Sequence, residues 1–319
     1  MIAAMDRLPS YAELPISPDA PAGSAWGVFG RDDQVGTLNL LTPEVRAAAA
    51  KLAVRGTTFN LDMPLHLPAR PFFGNRSRPK HTILRWGNGT VQDDYLDGFY
   101  PQYSSQWDAL RHIRHPEHGF YNWTTDEQAA AEEGRLGVEN FAQQGIVGRG
   151  VLLDAVRYLA TQGETLAPDV YRPLTADLLD AIAAAEGVAF RSGDIVLLRT
   201  GVGAMQHREA ADGLSTELRK YEGPGLDQGD ESLAWMWDHH FAAIVSDNLS
   251  VEAFPFRQGA KNLHHWAIAM LGMVFGELFD LEALAEDCAA QHTYECLFVA
   301  KPLMLRGGVG SSANALALK

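Results

Sequence analysis

Residues 100–115, YPQYSSQWDALRHIRH, set chemistry-bearing side chains at a spacing of two. Gln102, Ser104, Gln106 and Asp108 alternate with Tyr103 and Trp107. On an extended strand, side chains two apart share a face. One face would then carry two amides, a hydroxyl and a carboxylate, and the other would be aromatic. Such a polar face either meets solvent or lines a site. His112, His115 and His118 follow within ten residues of Asp108, adding imidazoles that titrate near neutral pH.

A second cluster is NLHHWAIAMLGMVFGELFDLEAL, with His264, His265 and Glu277. Its apolar residues recur at helical spacing, so Glu277 belongs to a segment destined for the core. An ionised carboxylate there must be paired or hold a metal. On one straight helix, His264 and Glu277 would stand roughly 20 Å apart. They can share a site only if the chain breaks between them, and Gly272 and Gly276 are the places for it. The alternative is a core helix with a surface histidine pair at its start. A third element, IVSDNLSVEAFP, is an apolar strand ending in polar residues. Asp247 there reads as the edge of a ligand crevice or as an ordinary Asx turn.

These clusters must be positioned by the rest of the chain. Its 319 residues, 46% hydrophobic and 21% charged, are ordinary for a globular protein. A net charge of −14 argues against a nucleic-acid partner. Cys288 and Cys296 form neither a zinc motif nor a disulfide framework, which predicts a reduced, cytoplasmic setting. The N-terminus reads as neither a signal peptide nor a span, and no apolar run approaches the ~20 residues of a membrane helix, so no membrane association is expected. Residues 1–35, rich in Pro, Gly and Asp, read as an irregular surface arm, and 36–319 as the domain. TPEVRAAAAKLA opens a helix, with Thr42 as cap and Pro43 first inside. DLLDAIAAAEG is a helix ended by Gly187, and LEALAEDCAAQ is another. TTFNLDMPLHL, KHTILRWGN, GDIVLLRTG, HFAAIVSDN, YECLFVAKPLML and ANALALK read as strands. Helices and strands alternate only loosely, which predicts a single compact α/β domain with a mixed sheet. GIVGRGVLLD lacks GxGxxG order, and P-loop, GxSxG and HExxH patterns are absent.

QYSSQWDALRH resembles the signature strand of the cyclase-like metal-dependent hydrolases, the family of bacterial kynurenine formamidase and isatin hydrolase. That family carries His-x-Gly-Thr-His-x-Asp-x-Pro-x-His. Laid on this chain, the first histidine falls on Gln102, the second on Gln106, the aspartate on Asp108 and the last histidine on His112. The family's later His and Glu fall on His264, with His265 as the alternate, and on Glu277. GTLNLLTPE, GIVGRGVLLD, SDNLSVEAFP and GELFDLEAL resemble its "QWD" branch, so the likeness runs from about Gly36 to the C-terminus. It implies a mixed, barrel-like core of the swivelling β/β/α type, and a homodimer or homotetramer.

The resemblance also implies a metal-dependent hydrolase of an amide, cyclic amide or lactone in a small molecule. Gln102, Gln106, Asp108, His264 and Glu277 would surround the ion, with His112 as general acid or base beside Asp108 and Glu277. Amide oxygens in place of two imidazoles favour Mn²⁺ or Mg²⁺ over Zn²⁺, or leave no metal at all. Trp107, Phe120, Tyr121 and Trp123 would wall the substrate, with Asp247 nearby. Two alternatives share the scaffold: a non-catalytic small-molecule binder, and a lyase or cyclase.

Overall fold

Nine short runs pair into one mixed sheet in the computed structural model, which describes residues 8–132 and 134–319. The strands are β1 (Thr58–Asn60), β2 (Lys80–Trp86), β3 (Val91–Asp97), β4 (Gln106–Asp108), β5 (Ile146–Asp154), β6 (Arg172–Leu174) and β7 (Ile195–Arg199). They continue with β8 (Pro224–Leu226), β9 (Ala243–Ser246), β10 (Val274–Glu277), β11 (Glu295–Ala300), β12 (Gly310–Ser312) and β13 (Ala315–Leu318). The large sheet runs β1-β13-β11-β5-β7-β9-β10-β4-β12. Its centre, β5 through β10, is parallel, and its flanks are antiparallel. Parallel strands are covered on both faces and need continuous apolar runs, and β7 and β9 are buried at every position. The result is the mixed α/β domain expected from the sequence, curled into a half-barrel.

Helix 43–50 begins as its sequence dictates: the Thr42 side chain accepts from the Val45 N–H, and Pro43 stands where no N–H partner is needed. Helix 176–185 ends before Gly187, whose φ of +70° suits a left-handed cap. Other boundaries differ from the sequence reading. TTFNLDMPLHL forms a ladder only over β1, with one isolated bridge from Asp62 to Phe279, and Pro64 within the run has no donor to offer a ladder. GIVGRGVLLD is itself the long central strand β5.

The arm is irregular but not superficial. Ala25, Trp26 and Val28 are buried, and the Trp26 indole donates to the Ala269 carbonyl at 2.8 Å, so this stretch belongs to the core. Residues 1–7 of the expected arm lie outside the described residues. The β2–β3 hairpin forms a separate, largely exposed ribbon. Among the described residues no helix is long and apolar enough to cross a membrane.

Candidate active site

Of the stretch 100–115, only Gln106–Asp108 is strand; the residues before it fold as turns. This short β4 lies between β10 and β12. It sets Gln106 opposite Glu277, Trp107 opposite Gly276 and Asp108 opposite Phe275. Opposed residues share a face and neighbours alternate. Gln106, Asp108 and Glu277 therefore point one way and Trp107 the other. A Cβ at Gly276 would stand 3.1 Å from the Trp107 ring, so the glycine leaves room for the indole.

His264 reaches this face because the chain reverses. It opens a π-helix, His264–Leu271, which stops at Gly272 with φ +66°; β10 then returns toward the helix start. Nothing larger than glycine fits that reversal. A Cβ at Gly272 would lie 2.6 Å from the Tyr121 ring, and the Gly36 backbone packs on the same spot. Of the two glycines predicted as break points, Gly272 makes the break and Gly276 stays in strand.

His264 Nε2 lies 2.9 Å from Glu277 Oε1 and 3.8 Å from Asp108 Oδ2. One ligand atom from each of Asp108, His264 and Glu277 falls within 4.8 Å of the others, and all three residues are buried. On the far side of the imidazole, Glu252 Oε1 faces Nδ1 at 2.8 Å and accepts from the His264 N–H, while Oε2 accepts from the Leu263 N–H. A carboxylate can only accept, so Nδ1 carries a proton and Nε2 is directed at Asp108 and Glu277.

Electrostatics follow from this crowding. Burial and then the Asp108 charge push the Glu277 carboxyl up to about 7, against the pull of His264. Burial draws His264 downward, yet the two carboxylates that clasp it hold it well above the ordinary imidazole range. Both shifts express an excess of buried negative charge. A divalent cation fits this donor set: the His264 nitrogen, the Asp108 and Glu277 carboxylates and the nearby Gln106 carbonyl, with Asp108 Oδ2 and Gln106 Oε1 buried without hydrogen-bond partners.

The Gln102 side chain, expected among the ligands, is turned the other way. Its amide nitrogen lies 2.9 Å from Asp108 Oδ1 and 2.9 Å from His112 Nδ1. Because the carboxylate must receive a donor, the atom is fixed as the NH₂ group. Gln102 therefore gives one hydrogen to Asp108 and one to His112, rather than an oxygen to a cation. Gln106 likewise donates to Glu277 Oε2, but keeps its own oxygen free. His112 lines the cavity above the site, and burial keeps its imidazole below its ordinary pKa, against the pull of Asp108.

Several expected residues lie elsewhere. His265 Nδ1 faces the Arg114 carbonyl at 2.7 Å; the residue borders the cavity over His112 but stays outside the Asp108–His264–Glu277 cluster. His115 and His118 stack on each other beside Trp266. Asp247 is wholly buried and accepts from Thr200, Gly201 and Gly203, capping the helix that starts at Val202. The aromatic wall is also different. Trp107 packs on Phe279 and Phe298 in the core. Tyr121 is buried against Gly272 and donates to Asp33. Trp123 stands edge-on to Trp26, and Phe120 packs on the core. A cavity of about 160 Å³ over His112, His264 and Glu277 is walled instead by Phe73, Ile113, Leu249 and Phe256.

Sequence reasoning missed Glu252 and this apolar wall. Glu252 had a signal, since it is the one carboxylate in the largely apolar LSVEAFP, the same argument that singled out Glu277. Phe73 and Arg76 sit in irregular chain between strands, where no periodicity marks them.

Comparison with known proteins agrees with this architecture. The family model described as "Putative cyclase" matches residues 57–253. The chain belongs to that cyclase family. A solved structure of a novel cyclase is 31% identical, covering 93% of this chain and 99% of its own, with a TM-score of 0.79. Isatin hydrolase A from Ralstonia solanacearum is 19% identical over 87% of this chain and 98% of its own, with a TM-score of 0.58. Isatin hydrolase A from Labrenzia aggregata, bound to benzyl benzoate, is 18% identical over 86% and 97%, with a TM-score of 0.56. The two hydrolases share the fold. No curated protein matches the chain in sequence.

Proposed function

We propose that the protein is a divalent-cation-dependent hydrolase of an amide, cyclic amide or lactone bond in a small molecule. One observation carries this reading: Asp108, His264 and Glu277 converge in the interior, and beside them Gln106 Oε1 and Asp108 Oδ2 are buried without hydrogen-bond partners. Three oxygen donors to one nitrogen favour Mn²⁺ or Mg²⁺ over Zn²⁺. A cation held there supplies a lowered water pKa and stabilises developing negative charge.

The chain's own residues do the rest. Glu252 fixes the ring and tautomer of His264. With Nδ1 accepting from Gln102, His112 keeps its proton on Nε2, 3.7 Å from Asp108 Oδ1, and the residue lines the cavity. It therefore serves as a neutral hydrogen-bond donor to the developing oxyanion or the departing group. A base role would require the Gln102 amide to turn, losing its bond to Asp108. Phe73, Ile113, Leu249 and Phe256 offer an apolar wall against which a substrate body would lie.

A homodimer or homotetramer belongs to the same reading. The register of β2 and β3 gathers Leu84, Trp86, Val91 and Tyr95 on one exposed hairpin face, with Thr82 and Asp93 among them, a largely apolar surface of the kind that self-association covers. Two buried free cysteines suit a reducing, cytoplasmic setting.

The test is metal content of protein purified without chelator, wild type against Asp108→Asn, followed by a screen of amides and lactones. About one equivalent of cation in the wild type, lost in the variant, with hydrolysis that follows the metal, supports the reading. Metal without hydrolysis turns it toward a lyase or cyclase. Neither metal nor turnover, with ligands still bound, makes the chain a binder.

A further inference from the structure

Arg76 stands at the junction of three cavities. It lines the small space beside Gln102 and Gln106, the 160 Å³ cavity over His112 and Glu277, and a 210 Å³ outer chamber bordered by Ser77, Arg78 and Ser215. Its Nη1 donates to the Gln102 carbonyl at 2.6 Å, and its guanidinium carbon sits 5.2 Å from the Phe73 ring centroid. Among the described residues, no carboxylate lies within ion-pairing distance of it. The neighbouring Arg78 differs, because it spends its guanidinium on the carbonyls of His66 and Ala69.

A guanidinium carries five donors in a planar fork. Arg76 uses one nitrogen of that fork to hold the chain, and the residue lines all three cavities. Its charge pulls the Glu277 carboxyl downward from a distance, yet it forms an ion pair with neither Asp108 nor Glu277. The group that completes a guanidinium in a half-buried, apolar-walled space is a planar oxyanion, bound in two-point fashion.

We propose that Arg76 is a specificity-determining residue that binds a carboxylate on the substrate, or the one released when the bond is cut, with the molecule's apolar body lying against Phe73 and Leu249. This rests on the hydrolase reading for the reaction but not for the binding. The site would then take small aromatic or apolar acids in preference to uncharged molecules of the same shape.

The experiment is isothermal titration of the metal-loaded protein with benzoate and with its uncharged isostere benzamide. Wild type, Arg76→Gln and Arg76→Lys are compared, with thermal melts to verify folding. The expected result is that benzoate binds better than benzamide. Arg76→Gln should weaken benzoate roughly tenfold or more and leave benzamide unchanged. Arg76→Lys, which keeps charge but loses the fork, should fall between, and it carries the test if the Gln variant does not fold. Equal binding of both ligands by the wild type, benzoate binding indifferent to Arg76, or no binding of benzoate each overturns the proposal. Benzoate selectivity in a protein that hydrolyses nothing would sink the hydrolase reading alone. Hydrolysis of carboxylate-bearing amides untouched by Arg76→Gln would sink this proposal alone.

Discussion

His264 Nε2 and Glu277 Oε1 lie 2.9 Å apart although 13 residues separate them, because the π-helix that starts at His264 is reversed at Gly272. The distance is set by backbone, not by side-chain flexibility. Gly272→Ala should therefore damage the site as well as the fold. Its φ of +66° disfavours any Cβ, and the added atom would meet Tyr121 at 2.6 Å. Backbone strain alone costs on the order of 1–3 kcal/mol. We expect a lower melting temperature and weaker Mn²⁺ binding in the same variant. Full metal affinity in a destabilised Gly272→Ala would show that the reversal does not position His264.

Glu252 and Asp247 lie five residues apart and are both fully buried, yet they do different work. Glu252 holds His264 through Nδ1 and two backbone donors. Asp247 holds the start of helix 202–212. Glu252→Gln should weaken Mn²⁺ by roughly 10–100-fold, the usual cost of losing a histidine-orienting carboxylate. Asp247→Asn should lower stability and leave Mn²⁺ affinity near wild type. Metal titrations of the two variants decide this, and equal losses would refute the division of labour.

The Gln102 NH₂ group, held by Asp108, locks His112 with its proton on Nε2. Nitrogen-15 NMR of the imidazoles should report the Nε2–H form for His112 in the wild type. In Gln102→Leu that preference should relax, and turnover should drop with metal content intact. His112→Ala should lose more activity than Gln102→Leu, roughly 10²-fold or greater. A His112 resonance in the Nδ1–H form would return this residue to the role of base.

How far the sequence led depended on whether contacts were local. Alternation of Gln106, Trp107 and Asp108 is a property of three consecutive residues, and it correctly put the amide and carboxylate on one face and the indole on the other. The need for a chain break between His264 and Glu277 followed from helix rise alone. What the pattern could not reveal was which side of a segment meets a distant one. Trp107 and Tyr121 carried the right chemistry for a substrate wall, but tertiary packing sent them into the core against Phe279 and Gly272. Phe73 and Arg76 reach the cavity from irregular chain, where no period exists to read. The glutamines at histidine positions looked like plain ligand exchanges; only the hydrogen bonds distinguish Gln102, which donates, from Gln106, which keeps an oxygen free.

Away from the site, Glu186 gives the protein a pH-dependent stability of predictable sign. Its Oε1 accepts from the Asp154 N–H, its Oε2 is buried without a partner, and burial, with the Asp154 charge adding, pushes its carboxyl up to about 8. The unfolded chain would titrate near 4.5. Below that value the carboxyl is protonated in both states and imposes no penalty. As the pH rises from 4.5 toward 8 the unfolded chain releases the proton and the folded one retains it, so stability falls; above 8 the buried group ionises and the loss is complete. Glu186→Gln keeps the Oε1 acceptor and cannot ionise. Melting temperatures of the two proteins should differ least at pH 4 and diverge in favour of the variant up to about pH 8, then run parallel. A variant that melts lower than wild type at pH 9 would mean that Glu186 is held charged by a partner, against the burial seen here.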